Sequence, residues 1–298
     1  MTPSRHPFDL DDTETFARWS AARLRAAPRR AEDLLVEVHD PRALSPTEHA
    51  AIQQRLARAN MAFYASPHHQ DDPDLPRHLA HQFGLVRLDA NWLADDDGIS
   101  HLQVTSGVAA GADYIPYTHH ALGWHTDGYY NPPERSIHAM VLHCVRDAIE
   151  GGENQLLDHE LAYLLLRHQA PELVRALMHP QAMMIPQRTA DDGSTRAAQA
   201  GPVFSVHRDA RGQARLHMRY TARTRSIVWR DDPITLAAAQ ALRQIMAAPN
   251  SPVIRTRLHP GWGLICANVL HDRSAFHDDP AHPRLLFRAR YLDQITLG

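Results

Sequence analysis

The chain has no lysine, because all 31 basic side chains among its 298 residues are arginine. This absence excludes Schiff-base chemistry and pyridoxal phosphate, and it excludes the lysine of a phosphate-binding P-loop. Cysteine is scarce as well. Cys144 and Cys266 each lie in an apolar run and form no CxxC pair, so we expect buried, reduced thiols.

Long apolar segments and a strong net charge are also missing. No run of about 18 apolar residues occurs, and the N-terminal residues lack the apolar core of a signal peptide. A net charge of −3 and a pI near 6.7 give no reason to expect a polyanionic partner. We therefore expect a cytoplasmic protein that binds neither nucleic acid nor membrane; a homo-oligomer is compatible with this composition. The arginines of residues 215–230 fit a solvated or intersubunit surface.

The pattern along the chain predicts a mostly β protein with helices. Residues 1–84 read as helices and short strands, and Ser45 to Glu48 has the form of a capping box that starts a helix ending near residue 60. From residue 85, short β-like runs separated by Gly, Pro and Asp favour a sandwich or jelly roll. Helical insertions near residues 158–180 and 232–248 interrupt them. We expect a single domain over residues 1–298, in which residues 1–84 support a core of residues 85–298.

The strongest chemical signal is His125-Thr126-Asp127. Residues i and i+2 of an extended segment point to the same side, so His125 and Asp127 can reach one ion while Thr126 faces away. His271, just after the predicted apolar strand GLICANVL of residues 263–270, is a candidate third ligand. Two imidazoles and one carboxylate leave roughly three coordination positions open, as in non-haem iron(II) oxygenases, although the same ligand types accept other divalent ions.

The order of these and further motifs resembles the Fe(II)- and 2-oxoglutarate-dependent dioxygenases of the taurine dioxygenase (TauD/TfdA) family. The resemblance runs through most of residues 34–298 and rests on WHTD at 124–127, NPP at 131–133, GGEN at 151–154, NVLHDRSAF at 268–276 and RLLFRARY at 284–291. It implies a cupin-like double-stranded β-helix (jelly roll) with His125, Asp127 and His271 as Fe(2+) ligands. It also implies that Arg284 binds the distal carboxylate of 2-oxoglutarate. Asn154 stands where the family usually has a threonine that contacts the same carboxylate.

Further site residues are expected near these motifs. Arg288 either holds an anionic substrate or forms a structural ion pair, and Tyr117, Tyr129 and Tyr130 are candidates for a substrate wall. Arg273, two residues after His271, is expected to position a loop. All of these are expectations for the structure.

The implied reaction uses 2-oxoglutarate and O2 as cosubstrates and releases succinate and CO2. Hydroxylation of an unactivated C–H bond in a small metabolite, anionic or amino-acid-like, is the expected outcome, with desaturation and ring formation left open. Two alternatives remain at this point: a cupin-type metal-dependent hydrolase or isomerase that uses no 2-oxoglutarate, and a non-catalytic binding protein on the same fold.

Overall fold

Helices dominate the first part of the chain and two later segments, and strands make up most of the rest. The computed structural model describes residues 6–89, 98–104, 115–189, 193, 195–223, 227–279 and 281–298. Parts of the short β-like runs expected from residue 85 onward, at residues 90–97 and 105–114, lie outside these ranges. The α-helices of the described residues are α1 Thr13–Ala26, α2 Pro46–Ala59, α3 Leu75–His81, α4 His159–Gln169, α5 Pro171–Leu177 and α6 Pro233–Ala247.

The strands of the described residues are short. They are β1 Leu35–Glu37, β2 Met61–Ala65, β3 Ile99–Leu102, β4 Leu122–His125, β5 Ala139–Arg146, β6 Glu150–Gly151, β7 Asn154–Leu157, β8 Met183–Ile185, β9 Arg188–Thr189, β10 Thr195–Arg196, β11 Gln199–Gly201, β12 Phe204–Arg208, β13 Ala214–Met218, β14 Val228–Trp229, β15 Ile254–Thr256, β16 Trp262–Cys266, β17 Leu270–Arg273, β18 Phe276–His277 and β19 Leu285–Tyr291.

Local sequence sets the ends of the helices. The predicted capping box of α2 is confirmed: the Ser45 hydroxyl accepts from the Glu48 N–H at 3.3 Å, and the Glu48 carboxylate accepts from the Ser45 N–H at 2.7 Å. Pro171 separates α4 from α5, because the residue before a proline is driven out of the helical region and Ala170 is extended. Asp232 caps α6 by accepting from the Thr235 N–H at 2.9 Å.

Two β-sheets enclose the middle of the molecule. The larger has the strand order β1-β2-β16-β5-β19-β3, and the smaller has the order β15-β7-β17-β4. Met140 and Leu264 of the larger sheet pack with Leu156 and Ile254 of the smaller sheet in one buried cluster. This arrangement agrees with the predicted jelly-roll class.

The outer face of the larger sheet is covered by helices. Val141 and Phe287 pack there with Ile52 of α2 and Leu79 of α3. Because side chains alternate along a strand, the even-numbered residues of β19 face the smaller sheet, and Leu286 lies in the cluster between the sheets. Arg288 and Arg290 therefore point into the space between the sheets.

The helices α4, α5 and α6 form a second layer against β8, β12 and β13. Leu161, Val174 and Leu242 are buried there together with Met183 and Met218. None of the helices in the described ranges is long and apolar enough to cross a membrane. The organisation of residues 1–298 as a single domain stays a prediction.

One strand expectation was wrong. The apolar run of residues 263–270 reads as a single strand, but β16 ends at Cys266 and β17 begins at Leu270. Asn268 lies in the turn between them with φ +48°, a left-handed conformation that ends the strand. His271 therefore lies within β17 rather than after a strand.

Candidate active site

The three predicted metal ligands meet at the edge of the smaller sheet that β4 forms. β4 and β17 are antiparallel neighbours in which His125 and His271 are directly opposite, with ring centroids 4.2 Å apart. Asp127 follows the last residue of β4 by two positions. One ligand atom from each of the three side chains lies within 4.8 Å of the other two, and all three residues are buried. Among the described residues no other such group of His, Cys, Asp and Glu occurs.

The hydrogen bonds of both imidazoles leave one nitrogen available. Nδ1 of His125 lies 3.0 Å from the Gly123 carbonyl oxygen, and Nδ1 of His271 lies 2.9 Å from the Val269 carbonyl oxygen. A carbonyl oxygen only accepts, so each Nδ1 carries a proton, and in a neutral imidazole Nε2 then has the lone pair that a metal ligand needs. Burial, together with the nearby His125, lowers the pKa of His271 to about 3, so its ring is neutral at physiological pH.

The Asp127 carboxylate also has a free acceptor. Its Oδ1 accepts from Nη1 of Arg288 at 3.2 Å, whereas the buried Oδ2 has no hydrogen-bond partner in the part of the chain that is described. Burial raises the pKa of Asp127, but the charges of Arg288 and Arg290 outweigh it and hold the pKa well below its usual range. The carboxylate is therefore ionised, with one oxygen that lacks a positive partner.

The two inward-facing arginines of β19 make different contacts. Arg288 forms the ion pair with Asp127 just described, which is one of the two roles that the sequence left open. Arg290 donates from Nη1 to the Tyr130 hydroxyl at 3.0 Å and from Nη2 to Oδ2 of the buried Asp89 at 2.8 Å. A contact between Arg288 and substrate stays a prediction.

Two buried donors lie on another side of the site, and neither has an acceptor among the described residues. Arg284 is 5% exposed, and its Cζ lies 4.9 Å from the centroid of the Phe276 ring. Its guanidinium forms no ion pair with the described residues, and burial lowers its pKa. Nδ2 of Asn154 is likewise buried with no hydrogen-bond partner in the described ranges. Both residues are the predicted contacts of the cosubstrate carboxylate.

Arg273 holds a loop, as predicted. Its guanidinium donates to the carbonyl oxygens of Ile115, Pro116, Thr118 and His120 at 2.6–3.4 Å. Burial, together with the charge of Arg284, lowers the pKa of Arg273 to about 9. We call residues 115–120 the clamped loop. It contains Tyr117, a predicted substrate residue that is buried in the cluster between the sheets.

Tyr129 and Tyr130 pack edge to face, with ring centroids 5.1 Å apart. Cζ of Arg196 lies 5.2 Å from the Tyr130 centroid. Burial raises the pKa of Tyr129, and the neighbouring Arg223 charge and Thr221 side chain offset this only in part. Arg196 and Arg223 form no ion pair with the described residues. The two tyrosines therefore lie beside positive charges that no described residue pairs.

Thr221 connects this group to the metal ligands. It pairs with His125 on the side opposite to His271, so His271, His125 and Thr221 form one cross-strand row. Directly opposite residues of antiparallel strands share a face of the sheet, and so do residues i and i+2. Thr221 therefore faces the same side as His125, and the charge of the nearby Arg223 acts on Tyr129. Sequence reasoning missed Thr221, because nothing in its local pattern indicates this pairing.

The prediction that the arginines of residues 215–230 form a solvated or intersubunit surface was only partly right. Arg219 is not solvated: its guanidinium donates to the carbonyl oxygens of Tyr129, Met183 and Gln199 at 2.7–3.2 Å. Arg215 pairs with Asp209 at 2.9 Å, and Arg225 lies outside the described residues. The burial of Arg219 cannot be read from its spacing, because its neighbours along the chain are equally arginine-rich.

A second group of imidazoles lies behind the Asp127 turn. The rings of His138, His207 and His217, here called the histidine cluster, have centroids 4.8–5.4 Å apart. Nε2 of His217 lies 3.1 Å from the Ile137 carbonyl oxygen. Burial lowers the pKa of all three, that of His138 to about 4 with a further contribution from His207. The cluster is therefore uncharged near neutral pH.

Comparison with known proteins agrees with this geometry. Residues 23–290 match the model of the family described as "Taurine catabolism dioxygenase TauD, TfdA family". A uridine-5'-phosphate dioxygenase of Streptomyces sp is 32% identical over 189 residues, which cover 60% of this chain and 65% of that protein. One from Amycolatopsis sp is 33% identical over 177 residues, covering 57% of this chain and 60% of that protein. The matches thus span less than two thirds of either relative.

Solved structures of low sequence identity share the fold. A taurine dioxygenase from Burkholderia xenovorans superposes with a TM-score of 0.56 at 19% identity, covering 87% of each chain. An asparagine oxygenase in complex with Fe(II), 2S,3S-3-hydroxyasparagine and succinate superposes with a TM-score of 0.54 at 16% identity, covering 91% of this chain and 89% of that one.

Proposed function

The chain belongs to the taurine catabolism dioxygenase TauD, TfdA family, and from that premise we propose that it is an Fe(II)- and 2-oxoglutarate-dependent oxygenase that oxidises a C–H bond of a small molecule. The observation that carries this proposal is the convergence of His125, Asp127 and His271, whose ligand atoms lie within 4.8 Å of one another. In such enzymes, bound iron and 2-oxoglutarate supply the activation of dioxygen, with release of succinate and CO2.

The donor set fits a ferrous ion. Both imidazoles are hydrogen-bonded through Nδ1, which leaves Nε2 as the ligand atom, and the Oδ2 of Asp127 is a buried anionic acceptor without a partner. A buried unpaired carboxylate oxygen costs free energy that a bound cation would offset. Two neutral nitrogens and one carboxylate on one face match the ligand set of non-haem iron(II) sites.

The cosubstrate would be held by Arg284 and Asn154. A planar guanidinium makes two parallel hydrogen bonds to a carboxylate, and Arg284 is a desolvated cation that lacks such a partner among the described residues. The Asn154 amide adds a buried donor. A hydrolase or isomerase without 2-oxoglutarate would leave both donors unused.

Other side chains control the surroundings of the reacting groups. The ion pair with Arg288 keeps Asp127 ionised, so the carboxylate stays available to a metal at low pH. Arg273 holds the clamped loop beside β17, where the loop excludes water from the buried donors. The residues of the chain would thus bind and orient the metal and the cosubstrate and keep water away from them. The chemistry of dioxygen would depend on those bound groups.

We propose an anionic small molecule as primary substrate, with a phosphate ester as the first choice. The charge of Arg223 acts on Tyr129, and Arg196 lies against Tyr130. Neither arginine forms an ion pair with a described residue. Arginine is well suited to phosphate oxygens, and tyrosine rings suit a planar base. Relatives at 32% and 33% identity are named for uridine-5'-phosphate, which has both features.

The reaction class is tested by anaerobic titration. Adding 2-oxoglutarate to the Fe(II)-loaded protein should produce a visible absorption band, and the His125→Ala variant should give none. In air, the wild type should release succinate from 2-oxoglutarate. A wild type that binds Fe(II) with no spectral response to 2-oxoglutarate and no succinate would refute the proposal.

The substrate class is tested by a panel of nucleoside 5'-monophosphates, sulfonates and amino acids, scored by stimulated succinate release. We expect the phosphate esters to give the largest stimulation and Arg223→Met to lower it through a higher KM. Equal stimulation by uncharged nucleosides would contradict the anionic assignment and leave the reaction class intact.

A further inference from the structure

The turn between β16 and β17 carries a residue in an unusual backbone conformation. Asn268 has φ +48° and is 2% exposed, and it lies three residues before His271. Asparagine is one of the few residues other than glycine that adopt the left-handed region readily. The other described non-glycine residue with positive φ is Asn60, at φ +56°.

The Asn268 side chain holds the main chain of Asp127. Its Oδ1 accepts from the Asp127 N–H at 2.8 Å, and its Nδ2 donates to the carbonyl oxygens of Asp127 at 3.0 Å and Ile137 at 2.8 Å. The amide therefore uses its oxygen and both of its N–H groups. The side chain acts like a strand neighbour to Asp127, which lies beyond the end of β4.

The main chain of Asp127 has no other hydrogen-bond partner among the described residues. The N–H of Thr126 is bonded to the Tyr220 carbonyl, but both main-chain polar groups of Asp127 are bonded to Asn268 alone. The position of the carboxylate thus depends on a side chain from the turn that precedes His271. One amide fixes the distance between two ligand-bearing segments that are 144 residues apart in sequence, from Asp127 to His271.

We infer that Asn268 is a positioning residue, which sets the Asp127 carboxylate at the correct distance from His271 for metal binding. This inference rests on the proposed function, since it assumes that these residues bind a metal. Residues that orient metal ligands typically change metal affinity 10- to 100-fold when they are replaced. Asn268 touches no metal ligand atom and acts only through the backbone of Asp127.

The test is the affinity for Co(II), a spectroscopic substitute for Fe(II), in matched variants. Asn268→Gly keeps the left-handed backbone and removes the amide, so we expect Co(II) binding about 10- to 100-fold weaker than in the wild type. Asn60→Gly is the control, because it changes the same residue type in the same backbone region. Its amide bonds to Asp158 at 2.8 Å, away from the ligands, so Co(II) affinity should stay within twofold of wild type.

A second variant of Asn268 and a folding measurement distinguish loss of the amide from loss of the fold. Asn268→Asp has the same shape, but it replaces Nδ2 with an oxygen that faces the carbonyls of Asp127 and Ile137, and it should weaken Co(II) binding at least as much as the glycine variant. Chemical denaturation of each metal-free variant shows whether it is folded under the conditions of the titration.

The outcomes separate the two proposals. If folded Asn268→Gly and Asn268→Asp bind Co(II) within threefold of wild type, the positioning role is refuted while the metal site stands. If the wild type binds no Co(II) that His125→Ala loses, the metal site itself is refuted. If Asn60→Gly weakens Co(II) binding as much as Asn268→Gly does, the loss reflects general destabilisation, and the inference is also overturned.

Discussion

Arg284 provides the sharpest test of the cosubstrate assignment, because replacing it should change affinity and stability in opposite directions. Its guanidinium is 5% exposed, lies over Phe276 and lacks an ion pair with described residues. The carboxylate of Asp278 accepts from its backbone N–H at 3.0 Å rather than from its side chain. The protein therefore keeps a desolvated cation that a bound carboxylate would neutralise.

The change to test is Arg284→Met, which keeps the aliphatic stem and removes the charge. Losing one partner of a buried, hydrogen-bonded charge pair costs about 2–5 kcal/mol. This corresponds to a Kd for 2-oxoglutarate that is roughly 30- to 4,000-fold higher. In the protein without cosubstrate the same change should raise the free energy of unfolding by about 1 kcal/mol, since apolar replacements of buried charges are neutral or stabilising.

Arg167 offers a matched control. It is 3% exposed and lies over Phe16 at 3.9 Å, but its guanidinium donates to the carbonyl oxygens of Pro7, Asp9 and Leu10. Arg167→Met should lower the free energy of unfolding by about 2–4 kcal/mol, because hydrogen bonds from charged donors are lost. Its Kd for 2-oxoglutarate should not change.

The assays are anaerobic calorimetric titration of the Mn(II)-loaded variants with 2-oxoglutarate, and urea denaturation without it. Arg284→Met with a Kd within threefold of wild type would refute the assignment of Arg284. A large loss of stability without cosubstrate would refute the reasoning that the guanidinium is unpaired.

Three further predictions follow from other parts of the structure. Arg273→Met should speed hydrogen exchange of residues 115–120 at least tenfold, because four carbonyl contacts are lost, and unchanged exchange would exclude the clamp. Gly151→Ala should lower the free energy of unfolding by at least about 2 kcal/mol more than Gly212→Ala. Both glycines have φ +74°, but an added Cβ overlaps the Ala275 carbonyl only at Gly151. Equal losses of stability in urea denaturation would contradict this. The histidine cluster should make the free energy of unfolding fall as the pH drops from about 6.5 to 4, because the unfolded chain binds protons that the folded cluster excludes. His138 alone contributes at most about 3 kcal/mol to this loss, and His138→Gln should flatten the dependence of stability on pH.

Local features of the chain were readable from sequence. The capping box of α2, the proline break between α4 and α5 and the spacing of His125 and Asp127 depend on residues a few positions apart. The jelly-roll class followed from many short strands, and the family resemblance gave His271 and Arg284. His271 lies beside His125 and Asp127, and Arg284 is buried, while their roles as ligands stay predictions.

The contacts that could not be predicted are those between distant segments. Alternation along β19 indicates that Arg288 and Arg290 share a face, but not that the first pairs with Asp127 and the second with Asp89. Asn268 sits in an apolar run that has every appearance of a continuous strand. Only its backbone conformation and its three hydrogen bonds reveal the turn, and those depend on Asp127 and Ile137 being in place.

The direct cross-strand pairing of His125 with His271 has a consequence for the life of the nascent chain. A ribosome-bound polypeptide that has emerged only past Asp127 carries two of the three candidate ligands and none of the shielding strands that follow. The third ligand arrives together with β17 and β19, which also deliver Arg273 and Arg288. The three candidate metal ligands are thus brought together only when the segments that carry Arg273 and Arg288 have also been synthesised.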